Sequence, residues 1–539
     1  MLYMRSVFAT GLMGLLAAAG CATSTPTSPT AEAQTAHKAS EARAEQLTIL
    51  YMADLHGQME PHPELFWHGD AERIQTAGGI ARVAAAVDQI RKEQNGNVIV
   101  LDAGDTIQGS APAALTQGAA VVPPVNAVGF DAGIPGNWEV AYGTQVMRER
   151  ARQMRHPLIA ANVRDADSGE RVFPPYLIKT VGGVRVAMIG YTDPDVPTRQ
   201  PPDYSQGLTY DDEEVLPKII ETVREKEGAD VVLLVSHIGL AKAVELSRRL
   251  PRVDFHLSGD THERTYEPVE VNGNWVVEPG AFGSFLGRLD IWVKDGEIID
   301  RRWELIELTA EQFPRDTEVA DLVDEQLAPL RAELDAVVGQ TRKPLLRYNV
   351  IETNLDNMLA DALRAATGTD IALSNGFRFA HPVGPGPITE AHLWDFYPVV
   401  TPLKVGTVTG EQLRDFWERE LENVFADDPT QRFGGWIPRP SGMRVRFVAD
   451  APKGERVREI TVNGKPLEDD AEYTLTACLR EGDPPDRLCR IDDVSNARTL
   501  DIDAHEAVRR YLAKHPEVAP KLERRVVAED RPQILRTQR

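Results

Sequence analysis

The feature that most constrains this chain is a series of short apolar runs between residues 46 and 305, each ending in polar residues. LTILYMADLH, NVIVLDAGD, VRVAMIGYTD, DVVLLVSHIG and VDFHLSGDTHE follow one another, with helical stretches such as 79 to 94 between them. Short apolar runs separated by helices predict an α/β sandwich with buried strands. In such sheets ligands bind beyond the carboxyl ends of the strands, so the polar run-ends would converge on one rim.

Those run-ends are Asp54 and His56 in D-L-H, Asp105 in D-A-G-D, Asn137 in G-N-W-E, His237 in S-H, and Asp260 with His262 in G-D-T-H. Taken singly, each is ordinary: a Ser-His pair is usually a core or surface histidine. Together, each after a buried strand, they supply the carboxylate, imidazole and amide donors of a metal site. The chain carries 82 acidic against 59 basic side chains, a formal charge of −23. That balance disfavours nucleic acid polymers and anionic lipid as partners. An anionic substrate would need a local positive centre, which metal ions or a few arginines would provide.

The 539 residues, 42% of them hydrophobic, suffice for more than one core. A mostly helical connector is expected over 309–340. A second α/β unit follows over 341–515, with the helix NLDNMLADALRAAT, the strand TDIALSN and further strands at 403–409, 442–448 and 472–479. The last stretch, 516–539, is charged and expected to be peripheral. At the other end, Arg5, an apolar run from Val7 to Ala19 and Gly20-Cys21 form a secretory signal over residues 1–21, too short for a membrane span. AAAGC resembles a bacterial lipobox, with Ala18 where Leu is usual, which would make Cys21 a lipidated first residue; ordinary cleavage nearby is the alternative. Residues 22–45, rich in Ser, Thr, Pro, Ala and Glu, read as a flexible tether, reaching about 25–30 Å by the random-coil relation. This places the protein in the periplasm, anchored to the outer membrane, since Ala22 rather than Asp follows the cysteine. Cys478 and Cys489 lie beyond this leader and would either close a local disulfide there or remain two thiols.

LTILYMADLHG, TAGGIARVA, VIVLDAGDTIQGS, GNWE, LIAANV, LLVSHIG, GDTHERT and EPGAFGSFLGRLDI resemble the calcineurin-like phosphoesterase domain of the periplasmic 5'-nucleotidase family. NLDNMLADALR, DIALSNGFR, GPITEAHLWDFYPVVTPL and VTGEQL resemble that family's C-terminal substrate domain. The resemblance covers nearly all of 46–515. It implies a four-layer α/β/β/α sandwich over 46–308 followed by a second α/β substrate domain. It also implies two divalent metal ions: Asp54, His56 and His262 would hold one, Asn137, His237 and Asp260 the other, with Asp105 bridging them. A hydroxide between the two metals would then attack phosphorus in line.

The chain departs from that family in three places. The usual G-H-x-H reads Gly259-Asp260-Thr261-His262. The extra carboxylate would favour Mn or Mg over Zn, although its side chain is shorter than an imidazole. The usual G-N-H-E-F-D has lost both members of its His-Asp dyad, replaced by Trp138 and Ala141. General acid help contributes about 10²–10⁴-fold and matters most for poor leaving groups. Its loss therefore points away from plain nucleoside monophosphates. Finally, the aromatic base sandwich is not evident: Tyr397-Pro398-Val399 stands at one place and LTACLREGDPP at the other, leaving Tyr397 or Phe396 as candidates for stacking. Arg347, Asn375 and Arg378 resemble the family's anion- and substrate-binding groups; the alternative for an arginine is a plain salt bridge.

The Trp-Glu pair, Gly376-Phe377-Arg378 and the GDPP…LCR stretch also resemble sulfur-oxidation thiosulfohydrolases, which release sulfate from a cysteine S-thiosulfonate on a carrier protein. Three functions follow. The first is a two-metal hydrolase acting on a small phosphorylated substrate. The second is a thiosulfohydrolase-like enzyme acting on a thiosulfonated carrier protein. The third is a non-catalytic binding lipoprotein, opposed by the intact Asp54, His56, Asp105, Asn137, His237 and His262.

Overall fold

The strand Glu45–Met52 shows how the sequence builds the first lobe. Leu47, Ile49 and Tyr51 face one core while Leu50 and Met52 face another. Side chains alternate across a strand, so a run that is apolar at every position must be covered on both sides. The same division holds for Val98–Asp102, with Ile99 and Leu101 on one side and Val98 and Val100 on the other. In Val231–His237, Val231, Leu233 and Val235 share the first of these cores, and Val232 and Leu234 turn to a third.

The shared core lies between two sheets. One has the strand order Glu297–Glu307, Phe285–Lys294, Glu45–Met52, Val98–Asp102, Ala132–Gly133. The other runs Val269–Val271, Asn274–Val277, Phe255–Gly259, Val231–His237, Val184–Thr192, Tyr176–Val181. Helices Ile80–Glu93, Val122–Val128 and Thr317–Leu327 cover the outside of the first sheet, and Leu216–Glu221 and Leu240–Arg249 cover the second. The result is the expected four-layer α/β/β/α sandwich. Glu45–Met52 runs parallel to Val98–Asp102, and Val231–His237 parallel to Phe255–Gly259. Their carboxyl ends therefore share one rim.

This computed structural model describes residues 44–68, 71–374, 380–428, 431–432 and 436–534. Residues 45–539 make one compact unit, so both lobes can be described together. In the second lobe a five-stranded sheet is ordered Arg439–Ser441, Ile371–Ser374, Glu472–Cys478, Pro402–Thr409, Ser495–Asp503. Helices Asn354–Thr367 and Ala504–Lys514 pack on one face and Gly410–Phe425 on the other. Thr353 caps Asn354–Thr367 through its side chain, and Gly368 ends it in the left-handed conformation, φ 69°. The strand Val337–Thr341 pairs with Gly386–Thr389.

One expectation changes, and one open alternative is resolved. The described part of the last stretch, 516–534, is not merely peripheral: Val526–Ala528 pairs in parallel with Met443–Phe447, and Val526 is fully buried. Its two valines suffice to complete an existing sheet edge. Cys478 and Cys489 are free thiols, and burial pushes both up to about 12. Among the described residues no helix is long and apolar enough to cross a membrane. The secretory signal, Cys21 and nearly all of the tether lie outside the described residues.

Candidate metal centre

The rim is made of tight turns. Asp54, His56, Asp105, Asp260 and His262 all have positive φ, at 53°, 51°, 54°, 96° and 57°. A non-glycine residue pays for this conformation, and such strain persists only where the surroundings hold it. Here the turns hold one another: Asp54 N–H donates to Gly104 O at 2.9 Å and His56 N–H to Asp105 O at 2.8 Å. Gly136 is required because a Cβ there would lie 2.2 Å from Asp105 Oδ1.

The side chains close into two groups around Asp54, one with His56 and His262, the other with Asp105 and His237, each spanning no more than 4.8 Å. His262 Nε2 is 3.4 Å from Asp54 Oδ1 and 3.1 Å from His56 Nε2. His237 Nε2 is 3.1 Å from Asp105 Oδ2, which is also 3.7 Å from His56 Nε2. Asp105 thus stands between the two groups. Backbone carbonyls fix the rings: Nδ1 of His56 donates to Gln108 O at 2.9 Å, and Nδ1 of His237 to Ala103 O at 2.7 Å. A carbonyl only accepts, so each Nδ1 carries the proton and Nε2 faces the cluster as a donor atom for a cation.

The cluster fits divalent metal ions on three counts. Asn137 Oδ1 is buried with no hydrogen-bond partner. Burial lowers His56 to about 4, keeping it neutral, the form that ligates. Burial also lowers His237, but the carboxylates of Asp105 and Asp54 outweigh it and raise the ring well above its ordinary value. The buried carboxylates therefore demand a positive charge, which cations would supply.

Sequence reasoning missed the residues that hold this arrangement. Glu139 accepts from the N–H groups of Asp105 (3.0 Å), Thr106 (2.7 Å) and Gly136 (2.5 Å). Its place two residues after Asn137 in GNWE was the available signal. Glu278 accepts from Glu263 N–H at 2.9 Å and Thr261 Oγ1 at 3.0 Å. Arg199, from the short helix Val196–Arg199, reaches Asp260 with both terminal nitrogens, 2.7 Å to Oδ1 and 3.2 Å to Oδ2.

The other expected site residues have these surroundings. Asp260 belongs to neither metal group; its carboxylate is paired with Arg199, which it shares with the buried Asp193. Arg347 is 2% exposed, bonded through Nε and Nη2 to Asp356 Oδ1 at 3.0 and 2.9 Å and through Nη1 to Phe396 O. It is a buried ion-pair partner. Tyr397 and Phe396 are packed into the second lobe's core, and Phe396 stacks on His392 at 6.4 Å. Trp138 is half-buried, and its backbone N–H donates to Asp105 Oδ1 at 2.7 Å. Ala141 N–H closes the same turn onto Trp138 O at 2.9 Å. Asn375 and Arg378 lie outside the described residues.

Two buried sheets with a carboxylate-imidazole cluster at their shared rim define a calcineurin-like metallohydrolase scaffold. Residues 47–264 match the calcineurin-like phosphoesterase family and 337–478 the 5'-nucleotidase C-terminal domain, and the chain belongs to the two-domain 5'-nucleotidase family. It is similar to the Endonuclease YhcR of Bacillus subtilis (strain 168), 25% identical over 456 residues; the match covers 80% of this chain and 36% of that protein, so the chain spans about a third of that relative's length. Among solved structures, the Thermus thermophilus sulfate thiohydrolase SoxB in complex with glycerol is 28% identical with a TM-score of 0.83, covering 91% of this chain and 98% of that one. A 5'-nucleotidase precursor from Thermus thermophilus shares the fold, 24% identical with a TM-score of 0.78, over 90% and 100% of the two chains.

Proposed function

We propose that this chain is a dinuclear-metal hydrolase that cleaves a phosphate ester whose leaving group needs little protonation. The observation that carries this reading is the pair of groups sharing Asp54, with Asp105 between His56 and His237. Two divalent cations, Mn among the candidates, would acidify a water between them and neutralise the charge gathering on the substrate. The chain's own part is to fix geometry. Asp54 and Asp105 draw the groups together, His56, His237 and His262 present Nε2 atoms, and Asn137 offers its amide oxygen. Trp138 holds Asp105 through its backbone, but an indole has no proton to give at neutral pH. A substrate with a good leaving group suits such a site.

A second reading, release of sulfate from a cysteine S-thiosulfonate on a carrier protein, is supported by the likeness to the sulfate thiohydrolase and by Trp138. A persulfide leaves without a strong acid. The expected periplasmic location, with Cys21 lipidated, is part of this proposal: Cys21→Ser should move the protein from the membrane to the soluble fraction.

Restoring the dyad tests the leaving-group argument. Trp138→His combined with Ala141→Asp should raise AMP hydrolysis by about tenfold or more; unchanged AMP turnover in a folded, metal-loaded double variant would count against the role given to Trp138.

A further inference from the structure

Arg199 and Asp260 carry an inference of their own. Arg199 grips both oxygens of Asp260 and also bonds Asp193, which is fully buried. A planar guanidinium paired with both oxygens of one carboxylate competes with a metal for that carboxylate's lone pairs and charge. Asp260 Oδ1 is still only 4.0 Å from His237 Nε2, at the edge of the second metal position. Its backbone N–H is already committed to Asp54, at 3.1 and 3.2 Å from the two carboxylate oxygens. The carboxylate is therefore next to the second position yet held off it.

The hold on Arg199 is built from the other lobe. Arg480 Nη2 donates to Thr198 O at 2.8 Å and to Gln200 O at 2.7 Å, the residues on either side of Arg199. A Cβ at Gly482, φ 82°, would lie 2.7 Å from Pro202 Cδ, so this loop and the Arg199 segment meet closely.

We propose that Arg199 is a positioning residue that makes the two cation positions unequal, withholding Asp260 so that the second divalent cation binds at least tenfold more weakly than the first. The first position keeps His56 and His262 beside the shared Asp54; the second relies on Asp105 and His237 beside Asp54, with Asn137 offering its amide oxygen. The inference rests on the two-metal reading of the site but not on its turnover. A protein that binds two cations and hydrolyses nothing would refute the proposed function and leave this inference standing.

The test is titration of chelator-stripped, full-length protein with Mn(II), followed by calorimetry and by the electron paramagnetic resonance signal of free Mn(II). The wild type should show two binding events separated by about tenfold or more. In Arg199→Met the released carboxylate should tighten the second event about tenfold and leave the first unchanged. Arg199→Met combined with Asp260→Asn, a neutral pair in place of an ion pair, should bind the second cation within about threefold of wild type. This double variant keeps the test decisive if the single one does not fold. Two equal events in the wild type, no tightening in folded Arg199→Met, or loss of the second cation in the double variant would each overturn the proposal.

Discussion

Asp105 and His237, 3.1 Å apart and both buried, depend on each other and on a cation. His237→Asn removes a ligand, and about hundredfold or greater loss of turnover should accompany loss of the second cation, measured as metal content and rate together. A different residue pair gives a pH signature. Burial would raise the Glu64 carboxyl, but Arg264 Nη2 at 2.7 Å outweighs it and holds the group at about 2 instead of 4.5. A depressed pKa stabilises the fold above the unfolded value and loses that contribution as pH falls from 4.5 towards 2; here it amounts to about 3 kcal/mol. In Glu64→Gln the stability lost between those pH values in urea melts should shrink by about that amount. The candidate ligands were legible because most of them follow a buried run. Arg199 was not, since nothing in the spacing from Arg199 to Asp260 links them before the chain is folded.

At the scale of elements, the apolar runs predicted the first lobe's strands closely, because a strand covered on both faces leaves an uninterrupted apolar signature. Val526–Ala528 escaped notice for the opposite reason: three residues among arginines and acids carry no period, and only the waiting edge of Met443–Phe447 makes them a strand. The turn at Gly136 joins element to site. In Gly136→Ala the new Cβ would meet Asp105 Oδ1 at 2.2 Å and Asp105 N at 2.5 Å, so a change of rotamer cannot relieve the clash. The variant should lose about 1–3 kcal/mol of stability in denaturant melts and bind Mn(II) about tenfold or more weakly.

Across the whole molecule, the centre is built by the first lobe and braced by the second. Arg264 of the first lobe lies 4.7 Å from the ring of Tyr348 in the second, whose hydroxyl donates to His262 O at 3.2 Å. His62 stacks on His381 at 4.3 Å, and Gln58 Nε2 donates to Asp395 Oδ1 at 2.8 Å. Sequence alone separated the lobes but could not show these contacts, which join residues far apart along the chain. If the brace is real, Arg480→Ala should quicken amide exchange across residues 196–206 by about tenfold or more and leave Val98–Asp102 unchanged. The central claim is a metal-dependent hydrolase with an undemanding leaving group. Its most direct test is turnover by protein reloaded with two equivalents of Mn(II) on p-nitrophenyl phosphate, bis-p-nitrophenyl phosphate, AMP, UDP-glucose and a thiosulfonated peptide. Chelator-sensitive turnover of at least one substrate with a good leaving group, faster than that of AMP, is expected. Silence on all five with both cations bound, or AMP as the fastest substrate, would contradict it.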